Sequence, residues 1–558
     1  MNEFNMVELF SPLSMKHFSL ILLFFGFGIF PSISQVSFQS SNLPLVIIDT
    51  DGQEIPDEPK IGAYMGIVFN GDGIRNSISD PHNNYSGAIG IELRGSSSQF
   101  YSDKKPYAFE TRNADGSNLN VELLGMPSEN DWILLAPYSD KSLMRDVLTY
   151  KLASGMMAWA PRCRFVELVV NGSYFGVFVL MESIKRDDDR VDIAKLDPDE
   201  NTGDDLTGGY ILKIDKTTGS NNDGFYSQYH PYENPWANIQ YLYHYPKPDL
   251  ISNQQKNYIK QYIDNFENVM ASDNFNDPVN GYPAVIDVPS FVDFFIINEL
   301  TRNVDGYRIS TFMYKDKDSN GGKLVMGPVW DFNIAFGNAD YCEGGVIQGW
   351  ASDFNLVCSG DNNLIPFWWK KFRQDTLFKA NVRARWELLR QGQLHKDTIF
   401  SMIDSMRTFL DEAQTRNFQK WDILGQYVWP NNYVGLTYQD EINYLKNWIN
   451  ARLLWLDNQI DGFPVLSTSV RSPEIINVHA YPNPVSKGSI VRWEGSIVES
   501  GIYTLKVFDV LGKDIYEQKI NQGRSLGSFS WEAQTTGVFI YVIASEDNTI
   551  ARGKIIVE

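Results

Sequence analysis

Residues 298–340 read NELTRNVDGYRISTFMYKDKDSNGGKLVMGPVWDFNIAFGNAD, and this stretch organises the chain. Ser310–Tyr314 and Lys323–Met326 have strand composition, and Asp316–Gly322 supplies turn residues between them. A hairpin over this span brings Asp305, before the first strand, close to Asp331, after the second. Two carboxylates so held suit a division of labour, one beside a hydroxyl or water nucleophile and one on a divalent cation. Asp316, Asp318, Asn320 and Gly321 imitate the start of a calcium-binding loop, but its twelfth position is Gly327, which has no carboxylate. A turn accounts for them better.

Working outward, Ile89–Arg94 alternates apolar and polar residues as a half-buried strand does, and Gly95 with Ser96–Ser98 turns the chain toward Lys104 and Lys105. Backbone amides and hydroxyls in such a turn can meet a phosphate, with a lysine as point charge. The plainer reading is a serine-rich surface turn with solvated lysines, since no Walker-type spacing is present. Asp140, Lys141 and Arg145 precede a helical pattern at Leu148, Leu152 and Met156. Ser139 or Asp140 can cap that helix, and its amide-rich start is an anion site, or else a capped helix with a solvated basic face. Phe165–Val170, Asn171-Gly172 and Phe175–Met181 form a strong hairpin signal that ends at Glu182. The acidic runs at 187–189 and 204–205 read as solvated loops.

Trp330-Asp331-Phe332-Asn333 with Phe336-Gly337-Asn338, preceded by Asn303-Val304-Asp305, resembles the signature of the CotH family of spore-coat-type atypical protein kinases. The resemblance extends through Leu93–Ser98, Lys104–Tyr107, Asp131-Trp132, Tyr138–Arg145, Asn171–Gly176 and Met181-Glu182. It implies an α+β, atypical kinase-like domain with a helical C-terminal part. It implies ATP and Mg²⁺ as cofactors, with Asp305 catalytic and Asp331 and Asn333 on the metal. Lys105 would hold the nucleotide phosphates, Glu182 would orient Lys105, and Arg94, Lys141 and Arg145 complete the expected nucleotide-binding set. One departure is visible: the family's usual WDFD is WDFN here, so Asn333 lacks a charge that would help hold a second cation.

The remaining chain sets the frame. The 558 residues are 43% hydrophobic and 14% aromatic, enough to bury large cores in two or three domains. Lys16 and His17 precede the apolar run Phe18–Phe30, too short to span ~30 Å of hydrocarbon comfortably, so residues 1–34 read as a signal peptide. A β-rich module is expected over 35–85, opening with Leu43–Thr50, and the kinase-like domain over 86–466. Helical spacing recurs in 251–272, 290–300, 367–389, 399–413 and 441–456, where Trp368, Trp369, Trp386 and Trp448 read as core. After a Ser/Pro-containing linker, 467–476, the alternating strands of 477–558 suit a small all-β sandwich. That block resembles the C-terminal sorting domain of type IX secretion cargo, which implies the type IX machinery as a partner and a secreted or cell-surface location.

The net charge is −21, and residues 471–558 hold nine Lys/Arg against ten Asp/Glu, so the excess acid lies before them. An acidic body argues against nucleic acid and anionic membrane partners, and no later stretch reads as a stable membrane span. Cys342 and Cys358 flank a glycine-containing stretch and can bridge in an oxidising compartment; the other reading is three buried thiols, with Cys163. The function expected is an exported kinase acting on a protein Ser/Thr hydroxyl. Export away from cytoplasmic nucleotide, together with Asn333, keeps open a noncatalytic surface or envelope protein that binds a protein or glycan, and more weakly a metal-assisted hydrolase.

Overall fold

A computed structural model describes residues 36–218, 223–465, 479–494, 501–509, 513–522, 529–545 and 549–558. The signal peptide and linker expected at 1–34 and 467–476 lie outside the described residues. Seven strands close into a barrel in the order 163–170, 173–182, 131–135, 107–112, 85–93, 61–68 and 45–49. Closure comes from Leu45–Asp49, which runs parallel to Cys163–Val170 with Leu45 opposite Glu167 and Ile48 opposite Val170. Strands at 45–68, expected in a separate module, are therefore staves of the same barrel as Arg94. Alternation sorts their side chains: Val46 and Ile48 join Met65, Ile91, Phe109 and Trp132 inside, while Leu45 and Ile47 pack outside under Phe38.

The hairpin 163–182 turns at Asn171 (φ 48°) and Gly172 (φ 72°), the paired left-handed residues of a two-residue turn whose twist suits the flanking strands. Lys104, 1% exposed, donates to the Val177 carbonyl and to Asn417 at 2.9 Å, with its ammonium 4.8 Å from the Phe178 ring centroid. It joins the barrel to the helix Lys396–Lys420, so this lysine is core rather than solvated.

A second, five-stranded antiparallel sheet runs in the order 224–226, 240–245, 210–214, 311–315, 324–326. Against it lies the helix Val288–Thr301, VPSFVDFFIINELT, buried over Phe291–Thr301. Such all-round apolarity belongs to a helix enclosed on every side. Asp287 caps it by accepting the Ser290 N–H at 2.9 Å. Its two acidic residues are matched: Asp293 binds Arg385 at 2.7 and 3.0 Å, and Glu299 faces Arg452 at 3.4 Å. Trp368, Trp369, Trp386 and Trp448 are all buried in this core, as their helical spacing suggests. The run 367–389 is two helices, Phe367–Gln374 and Thr376–Arg390, with Asp375 between them accepting the Phe378 N–H at 2.8 Å.

Toward the C-terminus, strands 479–481, 490–494 and 530–532 form one antiparallel sheet and 514–522, 501–509, 537–545 and 549–557 another. Val491, Trp493, Leu505, Val507, Trp531 and Ile543 meet in one core, giving the all-β region expected there.

Candidate active site

Register decides which residues meet. Ile214 pairs with Thr311, and Met313 with Met326, all antiparallel. The chain leaving 210–214, the chain entering 311–315 and the chain leaving 324–326 therefore emerge at one end of the sheet. Asp215 and Lys216 follow the first, the 302–310 loop carries Asp305 before the second, and Trp330 and Asp331 follow the third. The hairpin anticipated from 298–340 thus brings Asp305 and Asp331 to one cleft.

The loop that carries Asp305 leaves the central helix through Arg302 (φ 45°) and turns again at Tyr307 (φ 71°) and Ser310 (φ 48°); Asp331 has φ 63°. Left-handed backbone at a non-glycine residue costs about 1–3 kcal/mol and persists only where the surroundings enforce it. Here they do. Arg308 donates to Asp305 at 2.8 Å and reaches Asp361 at 3.2 Å and the Asn363 carbonyl at 3.1 Å. The Asn303 amide donates to the Asp331 carbonyl at 3.1 Å and accepts the Asp305 N–H at 3.2 Å. Below Asp331, its N–H donates to the Tyr150 hydroxyl at 3.2 Å, and the Phe332 N–H donates to Asp146 at 2.6 Å.

Charge is concentrated. Burial and the neighbouring Asp305 push the Asp331 carboxyl up, while Arg94 and Lys216 pull it back. Burial raises Asp305 as well, against Arg308 and Lys216, and burial with the field of Asp331 raises Asp146. Carboxylates that resist ionising beside one another are relieved by a divalent cation as well as by protons. Among the described residues no group of three or more His, Cys, Asp or Glu is arranged to hold a metal.

Arg94, just past the barrel strand 85–93, lies with its guanidinium carbon 5.1 Å from the Trp330 ring centroid and within the field of Asp331. Gly95 (φ 87°) then reverses the chain; a Cβ there would fall 2.1 Å from Ser98 Oγ. The short helix Ser97–Tyr101 follows, and Lys216 donates to Ser97 Oγ at 2.8 Å. Beside these residues a polar pocket of about 290 Å³ is lined by Asp215, Lys216, Tyr226, Gln240, Arg308 and Asn363 among others. Cys342 and Cys358 are bridged, and the bridged segment leads into Asp361, which holds Arg308. Cys163 is a buried free thiol.

Of the residues expected on the nucleotide, Glu182, Arg145 and Lys141 sit elsewhere, and Lys105 turns to the backbone of the helix 97–101. Lys105 donates to the Gln99 carbonyl at 2.5 Å. Glu182 is not its partner: Glu182 is fully buried against Arg162 at 2.8 Å, with Arg190 at 3.9 Å, because the strand end at 182 returns beside residue 162 of the same hairpin. Arg145 is fully buried, ion-paired with Asp140 and donating to the Ala335 carbonyl at 3.1 Å. Lys141 is buried and donates to the Gln426 carbonyl. The helix begins at Arg145, not earlier, and Asp140 anchors its start by accepting the Arg145 N–H at 2.8 Å. Lys141 therefore precedes the helix, and neither cation lines an anion site. Sequence reasoning missed Asp215, Lys216, Arg308, Asp146 and Tyr150. The strand-like YILKI at 210–214 followed by Asp215-Lys216 was a usable signal for the first two.

Comparison with known proteins follows the same residues. The profile of the CotH kinase protein family matches residues 91–456, well over half the chain and spanning Arg94, Lys216, Asp305 and Asp331. The chain belongs to the CotH kinase protein family. Residues 479–558 match the secretion system C-terminal sorting domain, so this CotH protein carries a type IX tail that points to secretion or cell-surface attachment. No curated protein matches the chain. Among solved structures it is similar to a Pseudomonas fluorescens alkylpurine DNA glycosylase bound to DNA, at 8% identity over 37% of this chain and 70% of that one, with a TM-score of 0.12. A likeness that slight carries no argument. Among the described residues, no helix is long and apolar enough to cross a membrane.

Proposed function

We propose that this CotH-family chain is an exported ATP-dependent protein kinase with an atypical kinase-like fold, transferring the γ-phosphoryl group to a Ser or Thr hydroxyl of a protein acceptor. What supports the reading above all is the convergence of Asp305 and Asp331 on one cleft with Arg94 and Lys216 at its rim. Asp305, held by Arg308 and raised by burial, accepts the acceptor's proton as its oxygen attacks the γ-phosphorus. The bond to the β–γ bridging oxygen then breaks, and ADP leaves. Asp331 and Asn333 would hold Mg²⁺, which would supply positive charge against the phosphates. Lys216 and Arg94 take the phosphate-steadying role first assigned to Lys105.

The test is calorimetric titration of the mature protein with ATP, with and without Mg²⁺, beside Asp331→Ala and Asp305→Ala. Metal-dependent binding should vanish in Asp331→Ala and survive in Asp305→Ala, which should lose transfer by about 10²-fold or more. A wild-type protein that binds no ATP under either condition would overturn this proposal. That result would favour the second reading, a noncatalytic surface binding protein, to which the neutral Asn333 already inclines.

A further inference from the structure

The left-handed backbone of Asp331 needs an explanation in its own surroundings. Beneath it lies the helix Arg145–Ala153, on which Asp146 and Tyr150 stand four residues apart and so share a face. Asp146 is 4% exposed and Tyr150 2%. The Tyr150 hydroxyl donates to Asp146 Oδ1 at 3.3 Å and accepts the Asp331 N–H at 3.2 Å, and the same Oδ1 accepts the Phe332 N–H at 2.6 Å. The Tyr150 ring also lies 6.3 Å from that of Trp330. Three consecutive residues of the WDFN motif are thus held by two side chains of one helix face.

Ion pairing does not account for Asp146. Its neighbour Arg145 is bound to Asp140, and what Asp146 meets is a backbone amide and a phenol. A buried carboxylate so placed is matched to what lies opposite it.

We infer that Asp146 and Tyr150 are positioning residues, fixing Asp331 in its left-handed conformation by holding the amides of residues 331 and 332, so that its carboxylate points into the cleft. The consequence for metal and nucleotide rests on the phosphoryl-transfer reading; the hold on the backbone does not. Tyr150→Phe removes one oxygen and keeps the ring. Asp146→Ala removes the acceptor, and Asp146→Asn keeps a carbonyl oxygen for both donors.

The experiment uses the full mature chain and follows two quantities: hydrogen exchange of the amides of 331 and 332, and ATP affinity with and without Mg²⁺. Tyr150→Phe should speed exchange at 331, and Asp146→Ala at 332. Mg²⁺-dependent ATP affinity should fall about tenfold in both, the usual scale for a partner of a metal ligand, with metal-free ATP binding unchanged. Asp146→Asn should restore wild-type behaviour. Folded Tyr150→Phe and Asp146→Ala proteins with wild-type exchange at these amides would overturn the inference, as would an Asp146→Asn protein that behaves like Asp146→Ala. If the wild type binds no ATP, the kinase reading falls, and the exchange measurement alone decides the positioning role.

Discussion

Asn303 and Asp331 lie 28 residues apart in sequence, and the Asn303 side-chain amide donates to the Asp331 carbonyl at 3.1 Å. The other end of that amide accepts the Asp305 N–H. One buried side chain therefore sets the spacing between the proposed base and the proposed metal ligand. Asn303→Ala should cost about 1–3 kcal/mol in stability by leaving a carbonyl and an amide unpaired. Asn303→Asp should keep the Asp305 contact and lose the one to Asp331. Denaturant unfolding of both variants, set beside Mg²⁺-dependent ATP binding, checks this: the Asp variant should be impaired mainly in metal-dependent binding.

The Cys342–Cys358 bridge closes a short loop that leads into Asp361, which holds Arg308, which in turn holds Asp305. Replacing both cysteines with serine should lower stability by about 3 kcal/mol, the scale for a loop near fifteen residues. The wild-type protein should show the same loss under reducing agent, and the double variant should not respond to reductant at all. A reductant-insensitive wild type would count against the bridge.

Glu267 offers a pH-dependent test away from the cleft. It is fully buried, accepts from Ser227 and Tyr241 at 2.7 and 2.8 Å, and burial pushes its carboxyl up to about 7. Because the folded state holds this proton more tightly than the unfolded one, its contribution is complete below about pH 4.5. It is lost as pH rises toward and through about 7. The loss should be of order 3 kcal/mol. Glu267→Gln should flatten this part of the profile and unfold at a higher temperature than the wild type at pH 8. Thermal melts of both proteins between pH 5 and 8 measure it.

Arg452 is fully buried; it donates to the Glu299 carbonyl at 2.8 Å and to the Gly349 carbonyl at 2.8 Å, and it faces the Glu299 carboxylate. Arg452→Met should destabilise by about 3–5 kcal/mol, because it takes the donor from the Glu299, Ile347 and Gly349 carbonyls and the opposite charge from the Glu299 carboxylate, which is left with the Tyr307, Ala351 and Ser352 donors. Arg452→Met combined with Glu299→Gln should recover part of that loss in equilibrium unfolding.

Much of the scaffold was legible because its signals are local. The hairpin at Asn171-Gly172 announces itself by turn chemistry, and the buried tryptophans by helical spacing. Asp305 and Asp331 could be brought together because one hairpin separates them. Lys105 and Glu182 were mispaired for the opposite reason: alternation says which face of a strand a side chain takes, not what lies across the sheet. The neighbours of Glu182 are Arg162, at the base of its own hairpin, and Arg190, just beyond it. Arg145 and Lys141 looked available because a basic pair near a helix start resembles an anion site; only the packing shows them committed to Asp140 and to a backbone carbonyl. Asp215 and Lys216 reach the cleft through a strand pairing that links Ile214 to Thr311; the local pattern YILKI marks the strand they follow, but not its partner nearly a hundred residues away.

The parallel pairing of Leu45–Asp49 with Cys163–Val170 bears on how this protein can be trimmed. A fragment cut to the family-matched span, 91–456, would lose the strands 45–49 and 61–68 and most of 85–93. What remained of the barrel would be an open sheet, with Cys163–Val170 and Tyr107–Arg112 as its bare margins and the apolar interior of Phe109, Trp132 and Phe178 wetted. Such margins recruit other chains. The smallest soluble version of this molecule therefore begins upstream of Leu45, some fifty residues before the family resemblance does.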